Sequence, residues 1–272
     1  MVKSVDFTEK VPISSHLREL KDRVVVVSFT IGITFAVSYV FLDHLLAFLQ
    51  APIPKGFNEL TFISPTEPFF TALRVSFLGA LFLSMPVILH QLWQFISPGL
   101  KMKEQKITML FVVSGTLFFL FGGAFCYFLV MPIGLKYLLS FGTTYWKMNV
   151  TIGLYYTFVV NLIMAFAFAF QTPLIMVLLT KLGLASTVKM RLYRKWAFLG
   201  AFVIGAILTP PDIITQTLLS LPLYGLYEFG VVVSYFFEDP KQREETIRQI
   251  LIEREARKAQ KAAQQQAAEE AS

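Results

Sequence analysis

The chain is poor in cysteine and in charge, and each shortage excludes something. Cys126 is the single cysteine in 272 residues. One thiol cannot close an intrachain disulfide, so the fold must stand without one. Charged residues make up only 15% of the chain, against 55% apolar ones. A water-soluble domain of this length needs a larger charged surface, so much of the apolar excess must face something other than water. Motifs for chemistry are missing too. There is no GxxxxGK[ST] loop to cradle a nucleotide phosphate and no HExxH helix. His16, His44 and His90 stand on different segments. These absences argue against an enzyme, and no cofactor or metal is expected. The basic residues lie in separate short stretches rather than on one folded face, which argues against nucleic acid.

What is present is a series of long uncharged runs. Six apolar segments lie at about 24–42, 75–96, 107–130, 153–180, 196–209 and 217–237. The first, VVVVSFTIGITFAVSYVFL, has 19 residues. A secretory signal has a shorter apolar core and a small-residue cleavage site, so this run reads as a retained span. The connecting stretches set the orientation. Five basic residues precede the first segment, three separate the second from the third, five separate the fourth from the fifth, and seven follow the sixth. Together these are 20 of the 24 lysines and arginines; the other side holds Lys55, Arg74, Lys136 and Lys147. The positive-inside bias therefore predicts six spans with both termini in the cytoplasm. The expected fold class is an all-α polytopic membrane protein. Residues 1–23 form a cytoplasmic N-terminal amphipathic segment, 24–237 the transmembrane domain, and 238–272 a charged cytoplasmic tail.

The fifth segment, WAFLGAFVIGAILT, is too short for a span. Its 14 residues reach about 21 Å as a helix, against a hydrocarbon core of about 30 Å. The following LTPPDIITQ carries no basic residue. Its prolines end one helix, and Asp212 is placed to cap the next. Either the hairpin stops short of the outer face or the bilayer thins around it. The fourth segment, by contrast, has 28 residues and must tilt or protrude. SPTE at 64–67 is a capping box with proline at the first helical position. Pro86, Pro173 and Pro222 interrupt the second, fourth and sixth segments. In the tail, KQREETIRQILIEREARKAQ reads as a solvated helix. KAAQQQAAEEAS reads as disordered low-complexity chain.

Polar residues at membrane depth are costly and are usually paired. Gln171 falls late in the fourth segment and Glu228 near the middle of the sixth. Thr217, Ser220, Tyr224, Tyr227 and Glu228 share one stripe, which either bonds to neighbouring helices or faces a polar groove. Ala197, Ala201 and Gly205 form a small-residue face for close helix approach, the sixth segment being one available partner. Before the first span, Ile13, Leu17, Leu20 and Val24 line one face, as in an amphipathic helix lying on the membrane surface. Glu19 lies off that stripe and can pair with Arg23 at i,i+4. Glu104, in KMKEQK, can equally be a solvated loop charge.

Several of these stretches carry a family resemblance. HLREL, SPTEPFF, LSMPVILHQLWQFISPGLKMKE, AFQTPLIMVLL, GAFVIGAILTPPD and TQTLLSLPLYGLYE occur in the order and at the intervals of the TatC family. That family is the polytopic core subunit of the twin-arginine translocase. The similarity runs over about residues 12–237. It implies six helices in a concave, cup-like arrangement with the last two short. It also implies a receptor for twin-arginine signal peptides that nucleates the complex exporting folded proteins across the inner membrane, driven by the proton-motive force. The implied partners are the single-span proteins TatA and TatB, with self-association in the receptor complex. Carried over by position, Glu19 and Glu104 match the acidic residues that receive the arginine pair, and Phe95 an aromatic beside them. Gln171 matches a position that is often glutamate; as an amide it cannot ionise. Thr209 and Gln216 match positions where the single-span partners dock. Asp212 and Glu228 also have family equivalents. The competing class is a small-molecule secondary transporter, although such folds usually show repeated halves. A third is a membrane scaffold with no peptide site.

Overall fold

A computed structural model describes residues 13–54, 59–96, 108–140, 149–208 and 213–270. Helix dominates the described residues, and the nearest thing to a strand is one isolated bridge between Thr61 and Thr151. The chain divides into two compact units, residues 1–168 and 169–272.

In the first unit, helix α1 (Ile13–Val40) is followed at once by the short α2 (Leu42–Gln50). α1 corrects one expectation: the N-terminal amphipathic stretch is no separate helix but is continuous with the helix of the first apolar run. Leu17, Leu20 and Val24 are exposed along it. Helix propagates cheaply once nucleated, and nothing between Ile13 and Val24 breaks it. α3 (Glu67–Ile96) packs along α1. The two approach so closely that a Cβ on Gly79 would sit 2.8 Å from Ser38 Oγ, so a larger residue there displaces the serine side chain. The capping box expected at 64–67 shows its carboxylate half: Ser64 N and Ile63 N each donate to Glu67 Oε1 at 3.3 Å. Pro86 is accommodated inside α3 without ending it.

α4 (Thr108–Phe125) continues through a π-turn at Cys126–Val130 into α5 (Met131–Ser140), and α6 is Ile152–Ala169. Aromatic rings join these helices to α3. Phe82 packs against Phe119 with tilted rings 4.8 Å apart, and Trp93 likewise against Phe111 at 4.3 Å. The end of α2 is held by tyrosines. Tyr127 and Tyr155 each donate at 2.7 Å to the carbonyls of Phe48 and Leu49, and Tyr156 donates at 3.0 Å to Leu46 O. Carbonyls at a helix end are short of partners, and these hydroxyls add bonds there beside the one from Ala51 N to Phe48 O.

In the second unit the elements are α7 (Thr172–Lys181), α8 (Thr187–Leu192), α9 (Arg194–Leu208), α10 (Ile213–Phe237) and α11 (Pro240–Glu270). The fourth apolar segment is thus broken at Phe170–Gln171, with Pro173 opening α7. Gly183, at φ +74°, closes α7 in the left-handed conformation a helix terminus favours. α9 and α10 meet at the small-residue face. A Cβ on Gly205 would lie 2.5 Å from Ser220 Oγ, so the sixth segment is indeed the partner of that face.

Two further expectations need correcting. α9 has 15 residues, about 22 Å of helix, and is short as expected. α10 has 25 residues, about 37 Å, and is not. It begins at Ile213, the residue after the expected cap Asp212. The tail end expected to be disordered is helical to Glu270, in keeping with the high helix propensity of Ala, Gln, Glu and Lys. Among the described residues, five helical stretches are long and apolar enough to cross a membrane: Leu17–Val40, Glu67–Ile96, Met109–Ser140, Ile152–Lys181 and Ile213–Phe237. Their outward faces stay apolar, with Phe29, Phe128 and Phe236 each more than 70% exposed.

Candidate functional site

The polar cluster of the first unit is built where α1 and α3 run side by side. Glu19 and Arg23 are one turn apart on α1, and the i,i+4 ion pair is formed. Arg23 Nε donates to Glu19 Oε1 at 3.2 Å, and Nη2 donates to the same oxygen. Its third nitrogen, Nη1, crosses to α3 and donates to Gln94 Oε1 at 2.5 Å, with Gln91 Oε1 at 3.4 Å. Gln94 Nε2 lies 3.3 Å from His90 Nε2. Phe95 follows Gln91 by four residues, on the same side of α3, and is half-buried. An open depression of about 470 Å³ lies over this cluster, lined by Arg18, Glu19, Asp22, Arg23, Val26 and Gln91. The side chains of Arg23 and Glu19 are 21% and 35% exposed, so the pair is reachable from the depression. Chemically, this is a carboxylate and two amide oxygens already holding a guanidinium.

The structure therefore brings Glu19 and the turn carrying Phe95 together. Glu104, Thr209 and Asp212 lie outside the described residues. Gln171 is buried at the break between α6 and α7, 6% exposed. Glu228 pairs with Arg194 at 2.7 Å and accepts from Tyr224 Oη at 2.7 Å. Tyr227 Oη donates to Met190 O at 2.7 Å, while Thr217 and Ser220 bond to carbonyls of their own helix. The polar stripe of the sixth segment is thus largely satisfied within the unit. Gln216 Nε2 donates at 3.1 Å to Phe202 O, tying α10 to α9.

Two features escaped the sequence reading. One is the link from Arg23 to Gln91 and Gln94; the i,i+3/i+4 recurrence of His90, Gln91 and Gln94 at the end of an apolar run was its only local signal. The other is Glu238. Its carboxylate is buried, accepts from Ser186 Oγ at 2.5 Å and Thr187 N at 3.1 Å, and accepts from Thr187 Oγ1. Arg243 Nε lies 3.5 Å from it, and the Arg243 guanidinium sits 4.2 Å from the Tyr235 ring centroid. Glu238 thereby braces the N-terminus of α8, whose cap is Ser186 accepting from Val188 N, and ties it to the start of α11. No group of His, Cys, Asp and Glu suited to a metal occurs among the described residues.

Long apolar helices, with polar groups gathered at their ends and between them, define a multi-pass helical membrane protein. Comparison with known proteins narrows the class. The model of the family described as Sec-independent protein translocase protein (TatC) matches residues 15–222. The chain is 34% identical over 240 residues to the Sec-independent protein translocase protein TatC of Desulforapulum autotrophicum, covering 87% of this chain and 89% of that one. It is 36% identical over 237 residues to the protein of that name from Escherichia coli K12, with coverage of 86% and 91%. A crystal structure titled as the twin arginine translocase receptor TatC superposes with a TM-score of 0.73 at 34% identity, covering 82% of this chain and 99% of that one. The chain belongs to the TatC family. It is accordingly a subunit of the Tat protein translocase and a component of protein transport.

Proposed function

We propose that this subunit is the receptor for twin-arginine signal peptides and nucleates the complex that exports folded proteins across the inner membrane, driven by the proton-motive force. The observation that carries the reading is the occupied guanidinium site: Glu19 and the amides of Gln91 and Gln94 already bind an arginine fork in an open depression. A second guanidinium-bearing chain meets the same chemistry there. The excess of lysine and arginine on one side supports cytoplasmic termini, which puts this depression on the side where signal peptides arrive. Glu104, on the adjoining segment, is the second carboxylate of the pair, and Phe95 the aromatic wall.

TatA- and TatB-type single-span proteins dock at the α9–α10 hairpin, through Thr209, Asp212 and Gln216. The bond from Gln216 to Phe202 O holds that hairpin closed. Glu228, paired with Arg194, is a structural charge. Gln171 contributes hydrogen bonding and no proton step. Copies of the chain associate within the receptor complex.

The reading is tested by titrating purified full-length protein in detergent with a synthetic peptide carrying an Arg-Arg pair and with its Lys-Lys counterpart. A receptor binds the first at least tenfold more tightly, because lysine cannot reproduce two parallel hydrogen bonds to a carboxylate. A small-molecule transporter or a scaffold binds neither, and that result would set the proposal aside.

A further inference from the structure

The arginine site of the first unit is already filled from within the chain, and this bears on how tightly it takes a substrate. Arg23 places two nitrogens on one oxygen of Glu19 and a third on Gln94. Both of its bonds to Glu19 fall on Oε1, and neither on Oε2. The contact therefore falls short of the parallel two-oxygen grip that makes arginine–carboxylate pairs strong. It is also partly exposed, and such pairs contribute little net stability. The pair is thus formed but exchangeable. An incoming guanidinium can use both oxygens of Glu19, whereas Arg23, one turn further along the same helix, engages one.

We infer that Arg23 is a built-in competitor: its guanidinium occupies Glu19 in the free receptor and must leave before the arginine pair of a signal peptide can dock. This rests on the reading of Glu19 as part of the peptide site. Gln91 and Gln94 make the exchange inexpensive. They are neutral acceptors on α3, so the displaced guanidinium keeps hydrogen-bond partners and stays beside the site. Two consequences follow. Affinity for the peptide is lowered by the fraction of receptors in which Glu19 is vacated, the ordinary reduction when only a minor state is competent to bind. Discrimination between arginine and lysine is unchanged, because both peptides must displace the same occupant.

The test is binding of a fluorescent Arg-Arg peptide, and of its Lys-Lys counterpart, to full-length Arg23→Gln and Arg23→Lys variants. Arg23→Gln is expected to tighten both peptides by the same factor, about twofold to tenfold. Arg23→Lys keeps the positive charge but loses the fork, and is expected to tighten both by a smaller factor. In a Glu19→Gln background the Arg23 changes should have no effect, since there is no carboxylate to compete for. Weaker binding by the variants, with unchanged thermal midpoints in detergent, would make Arg23 a support of the site and overturn the inference. Tightening by Gln with none by Lys would reduce the effect to removal of a repelling charge, and would overturn it as well. The receptor reading fails separately, if Glu19→Gln alone binds the Arg-Arg peptide like the parent protein.

Discussion

Replacing Glu19 by alanine is expected to weaken binding of an Arg-Arg peptide by at least tenfold, while the protein stays in the membrane at its normal level. The two halves rest on different magnitudes. Within the protein, Glu19 pairs with Arg23 across one helical turn, and both side chains are partly exposed. Such a pair contributes well under about 1 kcal/mol to stability. Arg23 also keeps its acceptors on α3 when Glu19 is gone. A charge-assisted contact to a bound arginine is larger, about 1.5–3 kcal/mol, which is roughly tenfold to a hundredfold in affinity. Glu104→Ala is expected to act in the same direction and by a similar factor. The Lys-Lys peptide should lose less than the Arg-Arg peptide on either replacement, so the preference for arginine shrinks in the double variant. Titration of the two peptides against each variant checks this. Parent-like affinity in both single variants would mean that these carboxylates are merely solvated charges.

The second large effect concerns stability. Glu238→Ala should lower the unfolding free energy by about 3 kcal/mol. The carboxylate is buried and serves Ser186 Oγ, Thr187 N and Thr187 Oγ1 together, with Arg243 beside it. Removing it leaves buried donors without acceptors, each worth about 1–3 kcal/mol, and these costs overlap because the groups form one network. At roughly 2–4 °C per kcal/mol for a chain of this size, the melting midpoint in detergent should fall by about 6–12 °C. Glu238→Gln keeps one acceptor and should fall less. Peptide binding at low temperature should be unaffected in both, since Glu238 belongs to the second unit and Glu19 to the first. An unchanged midpoint for the alanine variant would mean that water replaces the carboxylate and that the Ser186 cap suffices for α8.

The spans were the most legible part of the sequence, because lipid leaves the backbone few alternatives to helix. Uncharged runs and basic loops marked them, and the short α9 was readable from its 14-residue apolar segment. Boundaries were less legible where charge and helix overlap. Residues 13–23 read as a separate surface helix because they are charged and amphipathic, yet they continue into α1. Ile213–Gln216 precede the apolar segment marked at 217–237, yet they form the first turn of α10. In the site, Glu19–Arg23 was visible as an i,i+4 spacing. The bonds from Arg23 to Gln91 and Gln94 join positions 68 and 71 residues apart, and no local pattern encodes such a pairing. Glu238 was hidden for the same reason. In the sequence it is one acid of the Glu238-Asp239 pair after a span, and only the fold buries it against Ser186 and Thr187.

The central claim is that the arginine pair docks on the face where α1 and α3 meet, and photo-crosslinking tests it most directly. A signal peptide with a photoreactive residue next to its Arg-Arg pair is bound to the full-length protein and irradiated, and the adducts are mapped by mass spectrometry. The account predicts adducts within residues 16–26, 91–95 and 101–106, suppressed by excess unlabelled Arg-Arg peptide and lost in the Glu19→Ala, Glu104→Ala double variant. Adducts concentrated instead on α9 and α10, with the peptide still bound and the double variant unaffected, would contradict it.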